Sequence, residues 1–379
     1  MTAVPGWRGR LAALAWLGVA VVMAGCSSGP ERPKPQPLAP IAAPIAGKQV
    51  WSQRIGDVDF PLSVAVNGEQ FTVASSDGTV AALQSATGRE IWRTRIDGRI
   101  VAGVGSDGRF AAVVTREGDL VVLDAGKPLW RKPVGTKVVT APLVAGERVF
   151  VLGVDRRVMA WDVLDGRKLW QQQRPGEPLT LAQGGVLAAF KNTLLVGQGP
   201  RLAGLDPLNG SVRWEVPVAA PRGTNEVERL ADLVAPALRA GDSVCVRAFQ
   251  AAVGCVNAER GQLQWTRNVG GIQGVAGNDG VVVGADATDR ITAWRTASGE
   301  VAWTTESLLY RQLGAPLVAG PTVVFTDAEG TVHWLSLDKG EPLLRLSTDG
   351  SAPAAAPVVA GTTLLVVTRN GGLFAFRPE

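Results

Sequence analysis

The sequence is short of the residues from which most catalytic and metal sites are built. Its 379 residues include one histidine, one tyrosine and three cysteines. It contains no paired carboxylates, nucleophile motif, metal-spaced cluster or glycine-rich phosphate loop. The histidine, His333, lies in the alternating pattern Val-His-Trp, which favours a strand residue whose ring is satisfied by its surroundings. The sequence therefore predicts a protein that is not an enzyme and that has no cofactor or metal ion.

The charges are nearly balanced and do not cluster. The sequence has 38 Lys and Arg residues against 34 Asp and Glu residues, a net charge of +4, with no basic block. Proteins that bind nucleic acid usually present a clustered basic face, so this pattern argues against a nucleic-acid partner. Only 19% of the residues are charged, whereas glycine is abundant at 46 residues. This composition favours a folded all-β protein with many turns over a disordered chain.

Long apolar runs are also missing, apart from one near the N-terminus. Arg8 and Arg10 precede an apolar run at positions 11–24, which is too short for an ordinary membrane span. The run leads into Met-Ala-Gly and Cys26, which resembles a lipobox, the motif in which small residues precede a cysteine that becomes lipidated. We expect residues 1–25 to be a lipoprotein signal peptide and Cys26 to carry the lipid. The alternative is a plain secretory signal with a chance cysteine.

The residues after the cysteine predict a destination and a tether. Ser27 stands where the bacterial lipoprotein pattern has aspartate as an inner-membrane retention signal, so it favours the outer membrane. Residues 26–47 are rich in proline and alanine and have no apolar periodicity, which predicts an extended, semi-rigid spacer. Residues 48–379 are then the folded domain. We expect a lipid-anchored protein on the periplasmic face of the outer membrane, where a disulfide can persist.

A repeat with a period of about forty residues determines the predicted fold. The repeat combines an alternating apolar run, a turn that ends in glycine, and a second run that usually ends in tryptophan. Its clearest turns have the form Asp-x-x-x-Gly, at 162–166 and 206–210. The last position of the copies falls at Trp51, Trp92, Trp130, Trp170, Trp214, Trp265, Trp303 and Leu344. Another alternating pair precedes each hairpin, so one unit holds four short antiparallel strands, which is one propeller blade.

The two ends of the sequence predict how the ring closes. Trp51 has no hairpin before it, and the copy that begins at Gly371 lacks its final strand. The segment around Trp51 is predicted to supply that outer strand, which removes two exposed sheet edges. The prediction is an all-β, eight-bladed β-propeller with four antiparallel strands per blade, closed by an N-terminal strand. We expect the repeated tryptophans to pack between blades rather than to form a ligand cage.

The repeat resembles the tryptophan-docking repeat of quinoprotein (PQQ-dependent) dehydrogenases. The resemblance supplies an enzyme alternative, a periplasmic dehydrogenase that holds its quinone on adjacent cysteines and Ca²⁺ at the ring centre. Here Cys245 and Cys255 are ten residues apart, and no Cys-x-x-Cys-His haem site occurs. A turn near Gln250 would instead place the two cysteines opposite each other, and we expect a cross-strand disulfide. Two buried thiols are the alternative.

Two segments resemble the BamB family, the lipoprotein propellers of the outer-membrane β-barrel assembly machine. They are the insertion Gly-Thr-Asn-Glu-Val-Glu-Arg-Leu-Ala-Asp at 223–232 and the stretch at 301–311. The resemblance covers nearly the whole mature chain. It implies a non-catalytic scaffold that binds the periplasmic POTRA domains of BamA, within the BAM complex, and assists β-barrel insertion. Direct binding of nascent outer-membrane protein strands by β-augmentation is a further alternative.

The same resemblance places the partner-binding surface on two neighbouring inter-blade loops. The family pattern Leu-x-Leu-Arg is matched in the first loop by Leu179 and Leu181. The insertion that forms the second loop supplies Glu226, Arg229 and Asp232. Exposed leucines in such a polar, glycine-containing context suit the centre of an interface. The alternative is that they cap the interior of a blade.

Two departures from the family pattern reduce the number of charged side chains on this surface. Ala182 stands where the family has arginine, and Val234 stands where it has a second aspartate. The apolar part of the contact is kept. Residues 225–233 could form one or two helical turns with Asn225 as the cap. The alternative for this segment is a solvated surface helix without a partner.

Overall fold

The computed structural model describes residues 2, 33–42, 44–174, 179–221 and 223–379. The predicted lipid site, Cys26, lies outside the described residues, as does nearly all of the predicted signal peptide. Met1–Pro35 counts as a separate unit, and its described residues 33–35 are irregular and exposed. Gln36–Glu379 form one compact unit. Within the described ranges, no helical segment has the length and apolar character that crossing a membrane requires.

The described part of the compact unit is built from β-strands. In chain order they are β1 (Gly47–Arg54), β2 (Ala65–Asn67), β3 (Gln70–Ala74), β4 (Thr79–Gln84), β5 (Glu90–Arg95), β6 (Ile100–Ser106), β7 (Phe110–Thr115), β8 (Asp119–Asp124), β9 (Lys127–Pro133), β10 (Leu143–Ala145), β11 (Arg148–Leu152), β12 (Arg157–Asp162), β13 (Lys168–Gln173), β14 (Leu187–Phe190), β15 (Thr193–Gln198), β16 (Arg201–Leu205), β17 (Val212–Pro217), β18 (Leu233–Ala240), β19 (Ser243–Ala248), β20 (Ala252–Asn257), β21 (Gln262–Arg267), β22 (Ala276–Gly277), β23 (Val281–Ala285), β24 (Ile291–Arg295), β25 (Val301–Thr305), β26 (Leu317–Ala319), β27 (Thr322–Thr326), β28 (Thr331–Ser336), β29 (Pro342–Ser347), β30 (Val358–Ala360), β31 (Thr363–Val367) and β32 (Gly372–Pro378).

These strands form eight antiparallel sheets of four strands each. Blades 1 to 7 each take four consecutive strands and begin at β2, β6, β10, β14, β18, β22 and β26. Blade 8 combines β30, β31 and β32 with β1, which pairs with β32 as the outermost strand. The structure therefore confirms the predicted eight-bladed all-β propeller and its closure by an N-terminal strand.

The middle strands of a blade are buried on both faces, whereas the outer strand is half exposed. All six residues of β7 are buried, but β9, the outer strand of the same blade, is mostly exposed. A neighbouring blade covers each face of the sheet, so the middle strands are apolar at consecutive positions rather than at every second one. The outer strands remain partly exposed because only part of their surface meets the next blade.

Each outer-strand tryptophan packs against the turn glycine of the following blade. A Cβ atom added to that glycine would lie 2.4–2.7 Å from the indole, and the glycine φ angles are between +63° and +81°. Only glycine meets both conditions without strain. The pairs are Trp51–Gly88, Trp92–Gly126, Trp130–Gly166, Trp170–Gly210, Trp214–Gly261, Trp265–Gly299 and Trp303–Gly340. The expectation that the tryptophans pack between blades is confirmed.

The ring closure explains why blade 7 has Leu344 in place of tryptophan. The outer two strands of blade 8 come from opposite ends of the chain, so no turn joins them and no turn glycine is available. Gly47, the first residue of β1, takes that place, and a Cβ atom on it would lie 2.9 Å from Leu344 Cδ2. A smaller side chain therefore fits at the one seam that lacks the turn.

Candidate functional site

The two predicted partner-binding loops lie at the same end of blades 3, 4 and 5. One loop connects β13 to β14 and the other connects β17 to β18. In a blade of four antiparallel strands, the fourth strand ends on the side where the second and third strands turn. The short turns that carry Arg156 in blade 3 and Gly199 in blade 4 therefore lie on this side as well. We call it the inter-blade face.

Side chains from these loops and turns line a cleft of about 640 Å³. Four of the five partner-binding residues predicted from the sequence contribute to its lining, namely Leu179, Glu226, Arg229 and Asp232. The fifth, Leu181, lies in an adjoining pocket that Asp232 also lines. Two loops that are some fifty residues apart in the sequence are thus brought to one surface.

Asp232 holds the two loops together. Its carboxylate accepts a hydrogen bond of 3.0 Å from the backbone N–H of Leu181 and lies 3.6 Å from the guanidinium of Arg156. The Asp232 and Arg156 side chains are only 18% and 13% exposed. A pair with this little exposure is less screened by solvent than a surface pair. In the free protein, the Asp232 carboxylate is therefore engaged internally.

Further contacts fix the rest of the first loop. The Gln183 side-chain amide donates to the carbonyl of Ile272 in the connection from blade 5 to blade 6, at 2.8 Å. The N–H of Gly185 donates to Thr140 Oγ1 at 2.9 Å, and the carbonyl of Gly184 accepts from the N–H of Ala235 at 2.9 Å. Leu179 precedes these anchored residues and remains 36% exposed. Pro178, the first residue of the predicted loop, lies outside the described ranges.

The second loop forms a single capped turn, the smaller of the two extents that the sequence predicts. The N–H of Glu228 donates to Asn225 Oδ1 at 2.9 Å, and the N–H of Thr224 donates back to the Glu228 carboxylate at 2.7 Å. The first bond makes Asn225 the cap that the sequence predicts. The second resembles the return bond of a capping box, but its donor is Thr224, the residue before the cap. The bond from the Thr224 N–H lowers the pKa of Glu228 below its usual value. The turn leaves Val227 71% exposed.

The two departures from the family pattern have different structural settings. Ala182 is exposed, so the position that carries arginine in the family faces solvent here without a charge. Val234 is 1% exposed inside β18, where its backbone pairs with Arg247. A buried strand position cannot present a carboxylate to a partner. Within the cleft, the charged groups therefore come from other residues.

Sequence reasoning missed the charged residues that blades 3 and 4 contribute to the cleft. Arg174 and Arg201 both form ion pairs with Glu215, and all three line the cleft together with Arg156. They lie in or next to strand ends that face the inter-blade side. The antiparallel topology of a predicted blade would have placed these strand ends next to the loops, so the signal was present in the repeat.

His333 belongs to a buried polar network away from the cleft. Its Nε2 lies 2.9 Å from Asp327 Oδ2, which also accepts a hydrogen bond of 2.7 Å from Arg311. Burial lowers the pKa of His333, although the bond to Asp327 opposes this effect. Among the residues that the structure describes, no three His, Cys, Asp or Glu side chains are grouped so that they could hold a metal ion.

Cys245 and Cys255 are directly opposed in the β19–β20 pair, and their sulfur atoms are joined as a disulfide. Both residues are fully buried in the core between blades 5 and 6. The cross-link closes a short loop within one blade. We propose that the protein carries this disulfide in the periplasm.

Replacing both cysteines by alanine is expected to lower the free energy of unfolding by about 3 kcal/mol, because the cross-link restricts the unfolded chain. Urea unfolding of the variant measures this loss, and the wild-type protein in a reducing buffer serves as the control for lost side-chain volume. Alkylation of the denatured, unreduced protein should modify neither cysteine. Two modified cysteines at this step would contradict the disulfide.

The chain is similar to proteins of one family along most of its length. It matches the family described as outer membrane protein assembly factor BamB over residues 41–102 and 76–305. A protein of that name from Burkholderia pseudomallei is 36% identical over 373 residues, covering 97% of this chain and 98% of that protein. Another from Bordetella pertussis is 32% identical over 375 residues, covering 96% and 97%.

Solved structures share the fold at lower identity. The crystal structure of BamB from Moraxella catarrhalis matches with a TM-score of 0.80 at 23% identity, covering 88% of this chain and 100% of that chain. A quinohemoprotein alcohol dehydrogenase from Comamonas testosteroni matches with a TM-score of 0.67 at 17% identity, covering 89% and 77%. The second likeness concerns the propeller scaffold alone.

Proposed function

Because this chain belongs to the family of the outer membrane protein assembly factor BamB, we propose that it is a non-catalytic scaffold of the outer-membrane protein assembly complex. Its partner is the periplasmic POTRA region of BamA, and its contact surface is the cleft on the inter-blade face. The observation that supports this surface is the convergence of Leu179, Glu226, Arg229 and Asp232 on one cleft.

The chemistry of the cleft suits a protein partner. Leu179 lines the cleft and Val227 lies on its second loop, and both apolar side chains are exposed. Ion-paired arginines and carboxylates line the same cleft, among them Arg174 and Glu215. An apolar centre with a polar rim is the usual anatomy of a specific protein interface. A small-molecule site would instead be a more enclosed apolar cavity.

The proposed location follows from the N-terminal sequence and the family. The protein is attached to the outer membrane through acyl chains on Cys26, and the propeller faces the periplasm. Each buried CH₂ group of a lipid contributes about 0.8 kcal/mol, so several chains give stable anchoring. Residues after Cys26 then connect the lipid to the compact unit that begins at Gln36.

Replacing Leu179 and Leu181 together by aspartate is expected to weaken binding to the POTRA region at least tenfold. The two carboxylates would have to be desolvated at the centre of the contact. The measurement is a titration of the soluble domain, with Cys26 replaced by serine, against purified POTRA domains. The melting temperature should stay close to that of the wild type, because neither leucine belongs to a buried core cluster.

Two matched variants make this test specific. Leu208→Asp places a charge on a more exposed leucine, 64% exposed, in the β16–β17 turn at the opposite end of blade 4, and it should bind as the wild type does. Ala182→Arg restores the cation of the family pattern and should tighten binding. Unchanged binding by the double aspartate variant would rule out this cleft as the docking surface.

A further inference from the structure

The residues just before β1 pack along the outside of the propeller. We call residues 36–42 and 44–46 the strap. At its start, the N–H of Gln36 donates to the carbonyl of Leu309 at 2.9 Å. Arg311 donates to the carbonyl of Gln36 at 3.3 Å. Leu309 and Arg311 belong to the connection between blades 6 and 7, so the strap begins at that seam.

The strap then crosses the outer strand of blade 7. Arg345, on that strand, donates to the carbonyl of Ala39 at 2.7 Å. Leu38 packs against the core shared by blades 6 and 7, and Ile45 packs against the core shared by blades 7 and 8. The strap ends where the carbonyl of Ala46 accepts from the N–H of Glu379, at 3.2 Å.

The contacts at the start of the strap come from a rigid part of the blade. The Arg311 side chain is only 5% exposed and is held by ion pairs with Asp327 and Glu329. These ion pairs already fix the Arg311 guanidinium that donates to Gln36, so the Arg311 side chain loses little rotamer freedom when the strap docks. Leu38 and Ile45 are half-buried, whereas the described residues between them, 39–42 and 44, are mostly exposed. The strap is thus a docked segment held at two seams and not a free spacer.

We propose that the strap fixes the orientation of the propeller at the membrane, with the rim of blade 7 toward the bilayer and the rim of blade 3 away from it. This inference rests on the proposed lipid attachment at Cys26. Residues 27–35 can span at most about 35 Å when fully extended, and this length sets the upper limit of the distance between the lipid-bearing residue and the start of the strap. In a closed ring of eight blades, blade 3 is diametrically opposite blade 7. The docking cleft on blades 3 to 5 is therefore presented to the periplasm, where a soluble domain can reach it.

Energy transfer to labelled lipids tests this orientation in the full-length lipidated protein. A single cysteine is introduced either at Asp338→Cys in blade 7 or at Leu164→Cys in blade 3. These two exposed positions occupy the same place in the β28–β29 and β12–β13 turns, two residues before the turn glycine. Each is labelled with a donor fluorophore in phosphatidylethanolamine–phosphatidylglycerol vesicles that contain a headgroup acceptor. We expect transfer from position 338 to exceed that from position 164 by about twofold, given the short reach of the anchor.

Two strap variants complete the design. Leu38→Asp combined with Arg345→Ala removes contacts from both sides, and a Gly/Ser replacement of residues 36–42 removes the strap sequence at constant length. In both variants, the transfer efficiencies from positions 338 and 164 should become equal within experimental error. The melting temperature of each variant should stay near that of the wild type. If the first variant is unstable, the second provides the test. Equal transfer in the acylated wild type, or a difference that persists without the strap, would refute the orientation. An unacylated Cys26, seen by mass spectrometry, would refute the proposed anchor instead, and this inference with it.

Discussion

Replacing Asp232 by alanine is expected to weaken binding to the POTRA region by about ten- to a hundredfold. A hydrogen bond to a charged group is worth about 1.5–3 kcal/mol. Each 1.4 kcal/mol of binding free energy corresponds to about a tenfold change in affinity. Asp232 holds the N–H of Leu181 and the guanidinium of Arg156, so its loss frees the loop that carries Leu179. The partner would then have to order that loop on binding. Calorimetric titration measures the affinity.

The comparison with asparagine separates the two contacts of Asp232. Asp232→Asn keeps an acceptor for the Leu181 N–H but loses the charge opposite Arg156. We expect its affinity to fall between those of the wild type and the alanine variant. Asp279→Ala, at an exposed carboxylate in blade 6, is the control and should bind normally.

A double-mutant cycle then tests whether Asp232 acts through the loop. If Asp232 positions Leu179, combining Asp232→Ala with Leu179→Asp should cost less than the sum of the two single losses. Strict additivity would mean that Asp232 contacts the partner independently. That result would contradict the positioning role, although it would leave the location of the cleft unchanged.

The fold was predictable from the sequence because each blade repeats one local pattern. The alternating runs, the turn glycine and the final tryptophan recur from blade to blade, except for the tryptophan of blade 7 and the turn glycine of blade 8. Each encodes a local requirement for strand pairing or blade stacking. Even the exception at Leu344 follows from the ring closure. Local patterns of this kind need no knowledge of long-range geometry.

The geometry of the cleft was not predictable in the same way. The resemblance identified Leu179 and Asp232, but it could not show that the Asp232 carboxylate binds the Leu181 N–H, since the two residues meet only when blades 4 and 5 are stacked. The strap was missed for a related reason. Its apolar residues, Leu38 and Ile45, are separated by prolines and show no strand or helix period, so the segment reads as a spacer. Only the groove supplied by blades 6 to 8 gives them a place to pack.

Replacing Arg247 by methionine is expected to lower the free energy of unfolding by about 3 kcal/mol. The Arg247 side chain is fully buried, and its guanidinium donates to the carbonyls of Val269, Gly270 and Ala285 at 3.0–3.1 Å. These contacts join blade 5 to the connection that leads into blade 6 and to the end of β23. The methionine variant has nearly the same volume, so it tests the hydrogen bonds and the charge rather than a cavity.

Two opposing effects determine the size of this loss. Burial lowers the pKa of Arg247 to about 10, so the guanidinium remains charged at neutral pH and keeping it buried costs about 3 kcal/mol. Methionine removes that cost. However, it also removes three charge-assisted hydrogen bonds, each worth about 1.5–3 kcal/mol, and leaves their carbonyls without a donor. The second effect is larger, so the net result is destabilisation.

The loss should extend to the docking surface, because the same connection receives the hydrogen bond from Gln183 to Ile272. Arg247→Met is therefore expected to weaken POTRA binding severalfold, at a temperature where the variant is still folded, with Arg260→Met at an exposed position as the control. Urea unfolding gives the stability change and titration gives the affinity. A methionine variant as stable as the wild type would contradict the larger weight given to the three hydrogen bonds. Normal binding by a destabilised variant would show that the connection does not support the first loop.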